Sequence, residues 1–185
     1  MLLNSGIQRG FNFCKPETVD LKILEQELTT NYLSHVHLTT AILPFLQKQS
    51  GTTSLIYTTS QLGLVPMVRC ANYGASKAAL HHFILAIREQ LKDGPGDVKI
   101  VEIYPPAVQT ELHDDKHQPD LKNGGQIGMP LAEFIDATWS ELSAGQDQIA
   151  IGSAKDVFDS FEMARQNAFH KMTEMMAGLL KDFLK

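Results

Sequence analysis

The sequence has little of what a disulfide scaffold, a membrane span or a nucleic-acid binder would need. Only two of its 185 residues are cysteines, Cys14 and Cys70, and they stand at no metal-ligand spacing. That excludes a disulfide framework and points to a reducing compartment, so a cytoplasmic location is expected. The longest apolar runs, such as AILPFL at 41–46, fall far short of a bilayer span. The opening MLLNSGIQRGF has neither an apolar signal core nor a small-residue cleavage site. The net charge is −5 and Lys and Arg form no cluster, which argues against nucleic acid as a partner. There is no internal repeat, low-complexity tract or long linker, and no G-x-x-x-G-x-G or G-x-G-x-x-G turn.

The chain does have the composition of an ordinary globular domain, 43% hydrophobic and 20% charged, and enough length for one core. Residues 1–4 read as the end of a strand. Leu21, Leu24, Leu28, Tyr32, Val36 and Ile42 recur at helical spacing and predict a helix over 19–49, kinked or trimmed by Pro44. SLIYTTS at 54–60 predicts a buried strand, and a helix rich in Ala and Leu follows over 73–92. KDGPGD is a stop signal, and VKIVEIY at 98–104 predicts a second strand. The polar stretch 105–129 is long for a loop inside a compact domain, a length associated with function. A helix at 130–143 with Pro near its first position, a short strand at 147–152 and a helix over 156–184 complete the chain. Strands apolar on both faces, alternating with helices, predict an α/β fold with a parallel sheet covered on both sides.

In such sheets ligands bind beyond the carboxyl ends of the strands. NYGASKAAL at 72–80 begins there. Tyr73 and Lys77 are four apart and share a helix face. A nearby ammonium favours a phenolate, so Lys77 is expected to bring the phenol of Tyr73 down from its usual value near 10 toward proton transfer. Ser60, just after the first full strand, is placed to hold a substrate oxygen beside that phenol. The small residues Gly74, Ala75 and Ser76 would let a flat ligand approach the helix.

Ser60 followed by Tyr-x-x-x-Lys at 73–77 resembles the active site of the short-chain dehydrogenase/reductase family. Other stretches carry the likeness in the family's order. TTNYLSHVHLT resembles the helix with the family's catalytic asparagine, here Asn31. NSG at 4–6 resembles the tail of its Asn-Asn-Ala-Gly motif, giving Asn4 and Gly6. YPPAVQTEL resembles its Pro-Gly-x-x-x-Thr stretch, giving Pro105, Val108 and Thr110. The resemblance implies a catalytic set of Asn31, Ser60, Tyr73 and Lys77. It also implies NAD or NADP held by Asn4, Gly6, Tyr73, Lys77, Pro105, Val108 and Thr110, and a small carbonyl or alcohol as substrate. Tyr73 would pass the proton, Lys77 would tune it and bind the nicotinamide ribose, Ser60 would orient substrate, and Asn31 would hold a relay water. The loop at 111–129 would be the substrate lid.

Against the family pattern, Leu3 replaces the first asparagine and Pro106 the glycine after Pro105. The glycine-rich turn for the pyrophosphate is missing. The sequence therefore reads as an N-terminally truncated member, residues 1–185 forming one incomplete Rossmann-like domain, the catalytic half: three strands plus a stump of a fourth. An apolar sheet edge should then lie open. Two alternatives stand beside hydride transfer. One is a non-catalytic module that pairs with itself or a related chain through helices 19–49 and 73–92, the helices by which the family dimerises. The other is a cofactor-independent lyase or isomerase using Tyr73, Lys77 and Ser60. His81 and His82 are expected on a solvated or interface face. His113 and His117 with Asp114 and Asp115 lie in a loop of no fixed geometry, so no metal is expected. The Met/Phe stripe of the last helix reads as core or dimer interface, and its balanced charges do not suit a membrane surface.

Overall fold

The computed structural model describes residues 1–181 and 183. Four parallel strands form one sheet in the order β1 (Leu2–Leu3), β2 (Thr53–Thr58), β3 (Val98–Tyr104), β4 (Gln148–Ala150). The α/β architecture and the short first strand agree with the sequence pattern. β1 pairs only with β2, and Leu2 at its outer edge is 55% exposed.

Side chains alternate across the sheet and sort into two cores. Leu55, Tyr57 and Ile100 face α2 (Ser34–Leu46) and α3 (Ala71–Gln90), where Leu80, Ile84 and Ile87 meet them. Val101, Ile103 and Ile149 face the other way, against Phe134, Ala137 and Leu142 of α4 (Leu131–Ser143). Strand parity therefore puts Glu102 and Tyr104 on the α3 side, with Ile100. Both are fully buried, so β3 is less apolar on that face than its sequence suggests.

The helix expected over 19–49 is three pieces. Asp20 caps α1 (Leu21–Leu28) by accepting from the Lys22 and Ile23 N–H groups. A π turn at Thr29–Leu33 follows, and α2 ends at Leu46, two residues after Pro44. Pro44 removes one ladder donor near the helix end, where the loss is tolerated. The last helix likewise begins earlier than expected: α5 (Ser153–Val157), a π turn at Phe158–Glu162, then α6 (Met163–Leu180). Its expected end, Leu184, lies outside the described residues. Pro130 caps α4 instead of opening its first turn.

Two further expectations are corrected. His81 is not on a solvated face: it is fully buried between α3, β3 and the Phe158–Glu162 turn, because two carboxylates are there to pair with it. The Met-rich end of the Met/Phe stripe is not core within the single chain. Met172, Met175 and Leu179 are more than half exposed and Met176 is 38% exposed, because α6 has left the sheet by that point. No helix among the described residues is long and apolar enough to cross a membrane.

Candidate active site

The turn after β2 packs directly on α3 because two glycines leave room. A Cβ on Gly63 would lie 3.0 Å from the Lys77 carbonyl, and one on Gly74 would lie 3.1 Å from the Leu62 carbonyl. This contact fixes Ser60 against the first turns of α3, beside Tyr73. Ser60 Oγ accepts from the Leu62 N–H at 3.1 Å, and its own proton remains available. Gly74 and Ser76 therefore face protein, not ligand. Ser76 is buried, donates to the Tyr73 carbonyl at 2.7 Å and accepts from Asn31 at 3.0 Å.

Tyr73 and Lys77 are 5% and 2% exposed. The Lys77 ammonium donates to the Thr58 carbonyl at 2.8 Å and lies 5.8 Å from the centre of the Tyr73 ring. Burial pushes the Tyr73 phenol up to about 12, against the opposing pull of Ser60. The spacing argument expects the ammonium to lower that value. In the structure desolvation wins, and Lys77 is itself drawn down to about 8 by burial, with Glu102 opposing.

Asn31 lies in the π turn and is fully buried. Its Oδ1 accepts from the Ile7 N–H at 2.8 Å, and its Nδ2 donates to the Ile7 carbonyl at 2.9 Å and to Ser76. The side chain is thus a brace between α3 and the loop after β1, with one lone pair to spare. Glu27 holds the same loop by accepting from the Arg9 N–H at 2.7 Å and from Asn72 at 2.5 Å.

These elements enclose a pocket of about 580 Å³ at the carboxyl ends of the strands. Ser60, Tyr73 and Lys77 line it, as do Asn4, Gly6, Pro105, Val108 and Thr110. Asn31 does not; it supports the wall from behind. Thr110 is partly committed, its hydroxyl accepting from the Leu112 N–H at 3.3 Å. The 105–129 segment returns over the pocket. Val108 pairs with Met129, and Arg69 ties the segment down through Gln118 and a bidentate pair with Asp120 at 2.7 and 2.8 Å.

The model of the family described as short chain dehydrogenase matches residues 1–120. The chain belongs to the short-chain dehydrogenase family. The uncharacterized oxidoreductase DltE of Bacillus subtilis is 30% identical over 169 residues, covering 91% of this chain and 65% of DltE. Estradiol 17-beta-dehydrogenase 2 of Mus musculus is 35% identical over 96 residues, 52% of this chain and 24% of that protein. The chain thus spans less than two thirds of either relative. A short chain dehydrogenase from Burkholderia cenocepacia, solved in complex with NADP, shares the fold at a TM-score of 0.70. It is 22% identical, and the match covers 92% of this chain and 68% of the other.

Several parts of this candidate site carry no signal in sequence. The Thr58 carbonyl that holds Lys77 is a backbone group. The Arg69 clamp joins residues 49 and 51 positions apart. Glu102 did carry one: a carboxylate in the middle of an apolar strand is costly unless something pairs with it.

Proposed function

We propose that the chain carries the catalytic half of an NAD- or NADP-dependent oxidoreductase interconverting a carbonyl and an alcohol on a small molecule. The reading rests on one observation: Ser60, Tyr73 and Lys77 meet on the pocket that Asn4, Gly6, Pro105, Val108 and Thr110 also line. The relatives' description as an oxidoreductase and a dehydrogenase supports it, as does the NADP bound by the Burkholderia protein. The apolar lining from Leu62, Met67, Leu112, Ile127 and Phe134 suits a hydrophobic substrate.

The nicotinamide end of the cofactor fits these residues. A Cβ on Gly6 would lie 3.5 Å from Lys77 Nζ, so glycine keeps the space over the ammonium open. Lys77, Asn4 and Gly6 would hold the ribose, and Pro105, Val108 and Thr110 the ring. The pyrophosphate end has no glycine-rich turn to meet it in this sequence. When bound, the cofactor supplies or accepts the hydride.

The protein's share is placement and the proton. Tyr73, held in its neutral form by burial, gives its phenolic proton to the substrate oxygen in reduction and takes it back in oxidation. Ser60 donates to the same oxygen. The Lys77 ammonium favours the phenolate left after transfer, and Asn31 keeps the loop bearing Gly6 in register with α3. The segment 111–129 acts as the lid. A second copy is proposed to pack on α1 and α2, where Leu21 and Phe45 are 64% and 60% exposed.

Titration of NADPH and of NADH into the folded chain, followed by nicotinamide fluorescence, tests the reading. Micromolar binding by either is expected. No binding by a chain shown to be folded would overturn it in favour of a cofactor-free proton shuttle or a pairing module.

A further inference from the structure

Four fully buried polar side chains lie outside the pocket lining, next to the α3 face that carries Lys77: His81, Glu102, Tyr104 and Glu162. Lys77 and His81 are one turn apart on one face of α3. The His81 ring stands between two carboxylates. Its Nδ1 lies 2.9 and 3.0 Å from the oxygens of Glu102, and its Nε2 lies 3.1 Å from Glu162 Oε1. Glu102 also accepts from the Tyr104 hydroxyl at 2.8 Å. Glu162 accepts from Arg165 at 2.8 and 2.5 Å and from Gln166 at 2.8 Å.

Where both carboxylates are ionised they can only accept hydrogen bonds, so both ring nitrogens donate and His81 is an imidazolium. The charges then alternate from the surface inward: Arg165 positive, Glu162 negative, His81 positive, Glu102 negative, Lys77 positive. Glu102 is paired in β3 with Tyr57 of β2, the residue before the Thr58 whose carbonyl holds the Lys77 ammonium.

We propose that Glu102 is the counter-charge of Lys77, that His81 and Glu162 fix it there, and that all three are positioning residues for the active-site ammonium. The C-terminal segment thereby reaches the active site. Glu162 and Arg165 lie beyond the 1–120 stretch that the family model matches. The Phe158–Glu162 π turn re-aims the helix so that Glu162 points inward, as the other π turn does for Asn31.

The titration directions agree with this geometry. Burial pulls the His81 value down, but its bonds to Glu102 and Glu162 outweigh that and raise it. For Lys77 burial lowers the value and Glu102 raises it. The other groups facing these two are accounted for. His82, 6.2 Å from His81 ring to ring, is held down by burial and by Arg165. Tyr104 stays a neutral donor, raised by burial and Glu102, with Arg88 opposing. On the α2 side His35 is held neutral, at about 4, by burial and Lys77. Tyr73 is neutral at the same pH.

The inference rests on the role proposed for Lys77, but its test needs no turnover. Lysine and histidine resonances of the isotope-labelled full chain are titrated by NMR and assigned through Lys77→Arg and His81→Gln. At neutral pH both His81 nitrogens should carry protons, and Lys77 should titrate near 8. Glu102→Gln should lower the Lys77 proton affinity about tenfold, the size of one opposite charge at close range. Glu162→Gln, remote from the pocket, should leave His81 singly protonated and raise the Lys77 midpoint by less than Glu102→Gln lowers it, because the nearer imidazolium charge is lost together with the farther carboxylate.

A singly protonated His81 in the parent chain overturns the proposal, and so does an unmoved Lys77 midpoint in folded Glu102→Gln. If Glu102→Gln fails to fold, the nitrogen state of the parent His81 and the Glu162→Gln shift decide. A chain that titrates as expected yet binds no nicotinamide would contradict the reaction and leave this arrangement standing. An unmoved Lys77 in an active enzyme would do the reverse.

Discussion

His35 shows how burial sets the chemistry of a single side chain. It sits under Lys77 on α2, fully buried, with its Nε2 lacking a partner among the described residues. Burial and the ammonium hold its value at about 4, against 6.5 when unfolded. The unfolded chain therefore takes up a proton between 6.5 and 4 that the folded chain refuses, and the folded state loses stability as pH falls through that window. Urea melts from pH 7 down to 4 should show this loss, and His35→Leu should flatten it. An unchanged slope in the variant would assign the loss elsewhere. The closeness of Tyr73 and Lys77 was legible in the sequence because a helix fixes what stands four residues apart. The pairing of His81 was not, because Glu162 lies 81 positions away and only the fold brings it back. The phenol's neutral state was misread for a related reason: spacing shows the ammonium but not the desolvation that outweighs it.

At the scale of elements, apolar spacing and composition located the main helices yet missed both π turns. One extra residue in a turn hardly disturbs a 3.6-residue pattern, but it turns Asn31 and Glu162 inward. α3 carries the site and is anchored by Leu80 and Ile84, both fully buried in the core beneath it. Leu80→Ala should cost about 2–5 kcal/mol in denaturant unfolding, the range for an emptied core leucine. A cost below 1 kcal/mol would mean that α3 is not seated as described. The 111–129 segment is tied to the rest of the fold chiefly through Arg69 and Gln118. Arg69 donates to Gln118 and Asp120, and Gln118 is 1% exposed, with its amide also bound to Gln8 and the Leu112 carbonyl. The Asp120 end of the clamp is exposed but Gln118 is buried, so Arg69→Ala should cost about 1–3 kcal/mol, chiefly from the amide oxygen left without a donor. Amide exchange across 111–129 should rise well above that of β2 and β3. Unchanged exchange there would show that the clamp does not hold the segment.

At the scale of the whole molecule, the sheet order puts the carboxyl ends of β2 and β3 beside the 105–129 segment and the start of α3, so that distant stretches of sequence share one pocket. Alternation of helices and apolar strands was enough to foresee the parallel sheet. The exposed end of α6 was not foreseeable, because a Met-rich stripe looks the same whether it faces a core or solvent. The central claim is that this pocket moves a proton at Tyr73 while a nicotinamide moves a hydride. The most direct measurement is loss of NADPH or NADH absorbance by the full chain over a panel of hydrophobic ketones and aldehydes, run beside Tyr73→Phe. The account predicts turnover with at least one carbonyl and a fall of about 10²–10⁴ in Tyr73→Phe, with nicotinamide affinity retained. Equal rates in the two proteins, or no oxidation by a folded chain that binds the nicotinamide, would contradict it.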